Sequence, residues 1–555
     1  MEDYFGNGLM DFCKEYIRKH NKLFVCLLVF SFVLGVISLT NTYMIGMLID
    51  MIQDNGTFQC VIWFLVVYVL IQLTKMGVTY VMQYLIAKYN LLFANEVNEN
   101  VLKHLHKVKI LEIKKYDSVY LSERINSDSN VLANFMLSSI ESAFMQGVLL
   151  LVLLLIMIMI GWKYAILLVC VCLTYAIAFL AFRKQLYMKM KAYREETSNY
   201  LRGVNEQITF GNFIQINNLQ ESFVQRLKHS FASLLKQGMS LQITSNSYGL
   251  LQSMIFLFIS SVIILCAGKG LIDHEITVGQ LGMILTYTST ALGTISGLIG
   301  FGQVYQNSKT SYDRLTELSR LEQVQNGELE CEAVNCISLE NASFSFDYNV
   351  GLQNLTFEFK KGKKYLLLGE NGSGKSTLIY LILDQYQYLT GTIKIDGVDL
   401  RQYNMAQIRK KHFAVMEQEL DFPQNSILDY INMCNQTSYT EKQMMKILYA
   451  KGLDHLACDL LDLVDRGVTN INFTSGGEKQ KIEIARVILK DTDVMIFDEP
   501  TAHLDFESRD EFYQYIDSVK EDKIVIVVSH MKEEREHFDE IIYMNQYTLG
   551  KVDAE

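Results

Sequence analysis

Hydrophobic and polar positions divide this chain into two unlike parts. Within roughly the first three hundred residues, six apolar segments are long enough to cross a bilayer, which takes about twenty helical residues. From Ile337 onward, strand-like and helical patterns alternate, which is typical of an α/β domain. The six predicted spans are Leu23–Ile45, Cys60–Ile86, Phe144–Ile160, Ala165–Phe182, Leu250–Ala267 and Gly279–Gly302.

The connections between the spans differ in length and in charge. Long connections follow spans two and four, carry helical patterning and contain most of the Lys and Arg residues of this half. The short connections on the opposite side hold only Lys163 and Lys269, a bias of about ten to one that predicts cytoplasmic termini. Local breaks near Tyr116–Leu121 and Thr209–Phe213 predict a short transverse helix inside each long connection.

Composition agrees with a membrane part joined to a soluble part, because 50% of the residues are hydrophobic and only 20% are charged. The net charge of −11 gives no indication of nucleic-acid binding, and the ten cysteines form no C-x-x-C pair. The predicted organisation is an N-terminal cytoplasmic elbow over 1–21, a transmembrane domain over 22–307, a linker over 308–335 and an α/β domain over 336–555. Within the linker, Ser308–Asn326 is predicted to be a cytoplasmic helix.

A phosphate-binding loop lies in the second part of the chain. Its sequence matches G-x-x-x-x-G-K-[ST] at every fixed position, between a predicted strand at Tyr365–Leu368 and a predicted helix that continues from Leu378. Backbone N–H groups of such a loop surround phosphates, Lys375 adds a positive charge, and Ser376 offers a hydroxyl to Mg²⁺. The sequence therefore predicts a nucleoside triphosphate site. Its predicted residues are Gly369, Glu370, Asn371, Gly372, Ser373, Gly374, Lys375, Ser376 and Thr377.

Two further motifs follow in the order that such a site requires. The apolar run Val494–Phe497 ends in Asp498, which would hold Mg²⁺, and Glu499, which would polarise the attacking water as a general base. Between the two motifs, Ser475–Glu478 brings two glycines before a predicted helix at Lys481–Leu489 and forms a second anion site. This second turn cannot belong to the same pocket, so two chains are predicted to share each nucleotide.

In these motifs the chain resembles the ATP-binding cassette (ABC) transporters, in the half-transporter layout of six spans followed by one nucleotide-binding domain. The resemblance covers nearly the whole chain. Gln418 stands at the place of the family's Q-loop glutamine, and Ser529-His530 after the strand Ile524–Val528 resembles the H-loop. Thr501–Asp505 resembles the D-loop, and Ile276–Leu281 is similar to the family's entry into span six.

The resemblance implies roles for further residues. It assigns catalysis to Glu499 and His530, and a metal role to Ser376, Gln418 and Asp498. It adds nucleotide contacts from Gln418, from Asp505 and from the signature residues Ser475, Gly476, Gly477 and Glu478. The chain departs from the family pattern where Tyr usually stacks on adenine, because Phe346 occupies that place with Tyr348 as a rival. It also departs at Thr474 and Glu478, where the signature usually has Leu and Gln.

The activity implied is ATP-driven efflux from the cytoplasm or inner leaflet, with ATP and Mg²⁺ as cofactors. A peptide or an amphipathic drug or lipid is the expected substrate. The implied partners are a second half-transporter, identical or different, and membrane lipids, in a multi-pass cell-membrane protein whose ATP site is cytoplasmic. Two alternatives stay open, an ATP-gated regulatory subunit and an importer with the exporter fold. The ionisable residues Lys75 and Glu141 either line the transport pathway or anchor helices at the interface.

Overall fold

The computed structural model describes residues 8–53, 57–116, 118–347, 350–418, 422–423, 426–435, 437–466 and 471–549. The chain divides into two compact units. A helical unit comprises Met1–His106 and Asp117–Arg320, and a strand–helix unit comprises Lys107–Tyr116 and Leu321–Glu555. The second unit therefore includes a short segment that lies, in sequence, between two helices of the first.

Long helices make up the helical unit. Their bounds are α1 Leu9–Lys19, α2 Asn21–Gln53, α3 Phe58–Leu105, α5 Ser118–Asn134, α6 Ile140–Ile160, α7 Trp162–Thr209, α8 Gly211–Ile216, α9 Gln220–Ile272 and α10 Val278–Ser319, while α4 Ile110–Ile113 belongs to the other unit. Within the described residues, six helical stretches are long and apolar enough to cross a membrane, as predicted. Helix α3 alone has 48 residues, or about 72 Å, so it extends well beyond a hydrocarbon core of about 30 Å.

Two details of the helical unit differ from the sequence-based expectation. The helix predicted over Ser308–Asn326 is the end of α10, and it stops at Ser319. It stops because the following backbone pairs elsewhere: Val324 N–H donates to the Lys107 carbonyl, and Lys109 N–H donates to the Glu322 carbonyl. A π-helical turn at Phe135–Ser139, which no sequence pattern indicated, joins α5 to α6.

Two short helices lie close to the places where transverse helices were predicted. Helix α8 at Gly211–Ile216 overlaps the break predicted near Thr209–Phe213. Helix α4 at Ile110–Ile113 precedes the break predicted near Tyr116–Leu121 by a few residues. Apolar side chains decide the position of α4, because Ile110 and Leu111 pack on the core of the strand–helix unit.

The start of α10 is bound to α2 by a carboxylate and by close backbone packing. Asp50 accepts hydrogen bonds of 2.7 Å from Thr277 Oγ1 and of 2.7 Å from the Gly279 N–H. Thr277 and Gln280 also form a capping box. A Cβ atom on Gly279 would lie 2.1 Å from the Gly46 carbonyl oxygen, so only glycine fits at this crossing.

Helices α7 and α9 lie antiparallel, and contacts join them over most of their length. Tyr175 donates a hydrogen bond of 3.0 Å from its hydroxyl to the Gln252 carbonyl. Further along, the rings of Phe182 and Tyr248 are 5.5 Å apart, and Lys189 Nζ donates to the Ser240 hydroxyl at 2.6 Å. These contacts join spans four and five and continue into the more polar parts of both helices beyond the predicted spans.

Two sheets organise the strand–helix unit. The first has the order β10-β2-β1-β4-β5 and is antiparallel, and the second has the order β6-β7-β8-β3-β9 and is parallel. Their strands are β1 Cys336–Asp347, β2 Val350–Lys360, β3 Lys363–Leu368, β4 Thr390–Ile395, β5 Val398–Asp399, β6 Phe413–Met416, β7 Val494–Asp498, β8 Ile524–Ser529, β9 Glu540–Tyr543 and β10 Thr548–Leu549. Strands β7 and β8 are buried along their whole length, as the continuous apolar runs of a covered parallel sheet require.

Helices cover the parallel sheet and carry the functional loops at its carboxyl edge. They are α11 Lys375–Ile382, α12 Met405–His412, α13 Ile427–Cys434, α14 Glu441–Ala450, α15 Asp454–Asp465, α16 Gly476–Lys490 and α17 Phe506–Val519. Parallel strands β3, β7 and β8 lie side by side, so the loops that leave their carboxyl ends meet at one edge.

Candidate functional site

The phosphate loop has the backbone that its glycines require. It connects β3 to α11, which begins at Lys375. Gly372 and Gly374 have φ values of 81° and 85°, in the left-handed region. A Cβ atom on Gly374 would also lie 2.5 Å from the Leu352 side chain. Asn371 and Gly372 are exposed at the tip of the loop, and Thr377 is half-buried in the first turn of α11.

The interior of this loop fits a phosphate group. Lys375 Nζ donates hydrogen bonds of 2.7 Å to the Gly369 carbonyl and of 3.0 Å to the Glu370 carbonyl, so its ammonium group lies inside the loop. Burial lowers the pKa of Lys375, against the opposing effect of Glu499 and Asp498. Ser373 Oγ is buried and has no protein partner among the described residues. A desolvated cation and an unpaired hydroxyl in one loop are what an anionic ligand would satisfy.

The predicted metal residues also meet. Ser376 Oγ donates to Asp498 Oδ2 at 3.0 Å, which brings together the hydroxyl and the carboxylate that Mg²⁺ prefers as oxygen ligands. Burial raises the pKa of Asp498 to about 6, Glu499 adds to the shift, and the hydrogen bond from Ser376 opposes it. A bound cation would remove this cost of burying a charge. A single carboxylate suffices because Mg²⁺ usually completes its shell with water and phosphate oxygens.

The Glu499 carboxylate lies between two side chains that are distant from it in the sequence. Gln418 Nε2 donates to Glu499 Oε2 at 3.2 Å, and His530 Nδ1 lies 3.3 Å from Glu499 Oε1. Glu499 itself has a left-handed φ of 54°, and its N–H donates to the Val528 carbonyl at 2.9 Å. A glutamate in that conformation is strained, which is typical of residues whose position is fixed by function. The predicted base, Q-loop and H-loop residues therefore form one cluster.

A cavity of about 460 Å³ lies beside this cluster, and Ser376, Gln418 and Asp498 all line it. Residues of the segment Lys107–Tyr116 line the same cavity, in particular Ile110 and Lys114. Lys114 Nζ also lies 5.2 Å from the centre of the Tyr380 ring. The connection between spans two and three thus contributes side chains to the candidate nucleotide site. Sequence reasoning missed this contribution, because nothing local marks a helix of four residues as part of a distant domain.

The signature residues begin a helix, at a different place from the one predicted. Helix α16 starts at Gly476 rather than near Lys481, because Ser475 and Glu478 form a capping box. The Ser475 N–H donates to Glu478 Oε2 at 2.8 Å, and these bonds lower the pKa of Glu478. Gly477 has no room for a side chain, since a Cβ atom would lie 2.8 Å from the His503 carbonyl oxygen. Ser475 and Gly476 are exposed.

Asp505 is engaged within its own chain. It accepts a hydrogen bond of 2.8 Å from the Ser508 N–H and caps α17, and it forms an ion pair with Lys481 on α16. These contacts hold the pKa of Asp505 well below its usual range despite partial burial. Among the contacts of the described residues, none joins the signature Ser475–Glu478 to the phosphate loop. The two predicted halves of a nucleotide site are therefore not brought together within one chain.

The predicted adenine-stacking residue lies on β1. Phe346 is 47% exposed, and its ring meets the rings of Phe344 and Tyr386 edge-on at 4.7 Å and 5.5 Å. An aromatic ring supported from one side and open on the other can stack on a base. The rival Tyr348 lies outside the described residues.

Comparison with known proteins identifies the family of the chain. The family described as ABC transporter matches residues 352–502, and the family described as ABC transporter transmembrane region matches residues 24–295. The chain belongs to the ABC transporter family. Within the described ranges, six helices are long and apolar enough to cross a membrane, and together with the matched nucleotide-binding region they make the chain a half-transporter of the exporter type.

Relatives of this ABC transporter include proteins whose names give different substrates. An ATP-dependent lipid A-core flippase of Pasteurella multocida is 23% identical over 80% of this chain and 78% of its own length. The lactococcin-A transport/processing ATP-binding protein LcnC of Lactococcus lactis is 23% identical over 97% of this chain and 74% of its own length. A solved bacterial Atm1-family ABC exporter with ATP bound has a TM-score of 0.80 at 15% identity, covering 95% of this chain and 94% of that one, which shows the shared fold.

The transporter contains one bridging residue that the sequence analysis did not select. Gln480 Nε2 donates to the Glu499 carbonyl at 3.1 Å, and Gln480 Oε1 accepts from the His503 N–H at 2.9 Å. Its side chain therefore links the signature helix to the loop that carries the predicted base. The available signal was its spacing, because Gln480 lies one turn after Gly477 on the face that meets His503.

Proposed function

We propose that this ABC transporter uses ATP bound between two half-transporters to move an amphipathic molecule out of the cytoplasm or the inner leaflet. ATP hydrolysis coupled to transport is the activity of its family. The observation that carries the proposal is the cluster of Glu499 with Gln418 and His530. A chain that only senses ATP needs a binding loop, whereas this chain also keeps a base and its two positioning partners.

In the proposed reaction, Lys375 and the backbone N–H groups of Gly369–Thr377 hold the β- and γ-phosphates. Glu499 accepts a proton from a water molecule as the water oxygen attacks the γ-phosphorus and the bond to the bridging β–γ oxygen breaks. ADP and inorganic phosphate leave, and the proton on Glu499 returns to solvent. His530 and Gln418 position the carboxylate and the water. Bound Mg²⁺, held by Ser376 and Asp498 with Gln418 nearby, would neutralise charge on the leaving phosphates.

The second half of each site would come from a partner half-transporter. Ser475 and Gly476 are exposed at the start of α16, where the free N–H groups and the positive end of a helix favour an anion. No phosphate loop of the same chain contacts them among the described residues. Closure of two cassettes would bring each signature onto the nucleotide held by the other chain. A complete set of motifs in this chain allows the partner to be a second copy.

The distribution of charge supports the proposed membrane orientation, and the relatives support the proposed kind of substrate. The bias of Lys and Arg supports cytoplasmic termini and a cytoplasmic cassette. The relatives named above are a flippase for lipid A-core and a transport/processing protein for lactococcin-A, as their names state. Kinship with a lipid A-core flippase supports a lipid-like, amphipathic substrate for this chain.

The test uses purified transporter in proteoliposomes, with cassettes facing outward and ATP added outside. Radiolabelled amphiphiles of three kinds, a phospholipid, an apolar peptide and a cationic drug-like compound, are offered in separate assays. An exporter accumulates its substrate inside or moves the lipid to the inner-facing leaflet, and Lys375→Ala vesicles do not. ATP-dependent loss of preloaded compound would instead identify an importer. Nucleotide binding with neither hydrolysis nor transport would identify a regulatory subunit and contradict the proposal.

A further inference from the structure

A buried carboxyl group that the proposed reaction does not use lies in the turn that follows His530. Glu534 is only 5% exposed and belongs to a 3₁₀ turn over Lys532–His537, which begins two residues after His530. The turn is packed against α17, because the rings of His537 and Tyr513 stack with their centres 4.0 Å apart. A carboxyl group at such a position is tolerated only when hydrogen bonds replace the lost water.

The partner of Glu534 lies in the loop that carries the proposed base. Thr501 Oγ1 donates to Glu534 Oε1 at 2.6 Å, a length typical of a hydroxyl bonded to a carboxylate, and Thr501 is only 2% exposed. Thr501 follows Glu499 by two residues, and Glu534 follows His530 by four. The same two loops are therefore joined twice, by the Glu499–His530 contact and by the bond between Thr501 and Glu534.

The two contacts differ in strength. His530 Nδ1 lies 3.3 Å from Glu499 Oε1, and 51% of the His530 side chain is exposed, so water competes for both groups. The Thr501–Glu534 bond is shorter and buried, where no water competes with it. Glu499 also has its strained φ of 54°, which persists only where the surrounding contacts enforce it. The buried bond is therefore the contact that can hold the two loops in register.

The segment Thr501–Asp505, which resembles the D-loop, is also held from the signature helix α16. Gln480 Oε1 accepts from the His503 N–H at 2.9 Å, and an ion pair with Lys481 holds the end of the segment. Glu534 supplies the first of these three anchors along five residues, and it is the one that comes from the loop of the catalytic histidine. The signature helix and that loop therefore meet through this segment.

We propose that Glu534 is a positioning residue for ATP hydrolysis, which holds Thr501 and so fixes the Glu499 carboxylate relative to His530. This inference rests on the proposed role of Glu499 as the base. Glu534 contacts neither water nor phosphate in this role, and it takes up no proton in the reaction. Without the bond, the loop after Glu499 loses its buried anchor, and a base displaced by about 1 Å loses about a hundredfold in rate.

The test removes the bond and compares turnover with nucleotide binding, using the full-length transporter in lipid. Glu534→Leu keeps a similar volume without an acceptor, and kcat for ATP should fall about ten- to hundredfold. The KM for ATP and the binding of a fluorescent ATP analogue should stay within about twofold, because the contacts of Lys375 in the phosphate loop are unchanged. Glu534→Gln keeps an acceptor oxygen for Thr501 and should restore kcat to within about threefold of the wild type.

Matched variants assign the effect to Thr501 and to Glu499. Thr501→Val removes the same bond from the other side, and it carries the test where the leucine variant fails to fold. The double variant Thr501→Val/Glu534→Leu should be no slower than the slower single variant, because each removes one and the same contact. In a Glu499→Gln background, Glu534→Leu should have no further effect on kcat, since no base is left to position. Glu533→Leu makes the same change of charge at an exposed position of the same turn and should turn over like the wild type.

Four results would overturn the inference. Turnover of Glu534→Leu within about twofold of the wild type, while Glu499→Gln is slow, would remove the role and leave the proposed hydrolysis standing. A raised KM with unchanged kcat would place Glu534 in nucleotide binding instead. Multiplied losses in the double variant would show that Glu534 does not act through Thr501. An equal loss in Glu534→Gln, together with a lowered melting temperature, would show a structural role only. Normal turnover of Glu499→Gln would contradict the proposed base itself, and this inference with it.

Discussion

Replacing Glu499 with glutamine tests the proposed base with little change of shape. The two side chains have the same size, and both must adopt the left-handed φ of 54° that this position imposes. The glutamine oxygen can still accept the hydrogen bond from Gln418 Nε2, now 3.2 Å long, while the amide nitrogen faces His530 Nδ1. The fold should therefore change in stability by less than about 1 kcal/mol.

The expected loss of turnover is large, because an amide cannot accept the proton of the attacking water. A positioned general base contributes about 10²- to 10⁴-fold, or about 3–5 kcal/mol of activation free energy. ATP binding should be retained, since the phosphate contacts of Lys375 and the loop are unchanged. It should even tighten slightly, because one negative charge beside the phosphates disappears.

Steady-state ATPase activity and binding of a fluorescent ATP analogue are measured on the same protein in lipid. Glu507→Gln serves as the matched control, because Glu507 is exposed in the first turn of α17 and its change alters the same atoms. A control with normal turnover and a Glu499→Gln variant slowed less than about tenfold would refute the assignment of Glu499 as the base.

Three further outcomes are expected. Lys375→Ala should weaken binding of the ATP analogue itself by about tenfold or more, and equal binding by wild type and variant would mean that its ammonium does not contact the phosphates. Glu478→Gln keeps the capping box but removes a negative charge from the signature turn. The KM for ATP should fall several-fold, because this charge no longer repels the phosphates. An unchanged KM would mean that ATP does not bind near the signature turn. Burial raises the pKa of Asp384 to about 6 from 3.8, so this residue contributes stability below pH 4 that is lost as pH rises to about 6. Asparagine tolerates the same φ of 52°, so Asp384→Asn should not show this loss of about 3 kcal/mol. The melting temperature of the variant minus that of the wild type should therefore become more positive between pH 4.5 and pH 7.5.

The candidate site was predictable wherever its chemistry lies in consecutive residues. The phosphate loop and the pair Asp498–Glu499 can be predicted from the sequence, because each needs a fixed spacing of residues within one strand-to-helix connection. The roles of Gln418 and His530 came from the family resemblance, and the structure brings both against Glu499. Gln480 was missed, since its importance lies in reaching the Glu499 carbonyl from another element.

The ends of helices were less predictable than their existence. Helix α16 begins at Gly476 because Ser475 and Glu478 satisfy its first N–H groups, although two glycines argue against helix by propensity. Helix α10 ends at Ser319 because the next residues pair with the segment at Lys107–Lys109, which is more than two hundred positions away. A local pattern cannot contain a partner at that distance.

The sequence by itself determined the six spans, their charge bias and the phosphate chemistry, because hydropathy over twenty residues and a nine-residue motif are local properties. Tertiary structure alone decided that Asp50 caps α10, that Lys107–Tyr116 belongs with the nucleotide-binding residues, and that the Glu534 carboxyl group bonds to Thr501. Each of these depends on backbone or side chains that meet from distant parts of the chain. At these contacts, burial influences the charge of an ionisable side chain and limits the size of the residue that fits. Burial in turn depends on how the elements pack together, which no local stretch of sequence contains.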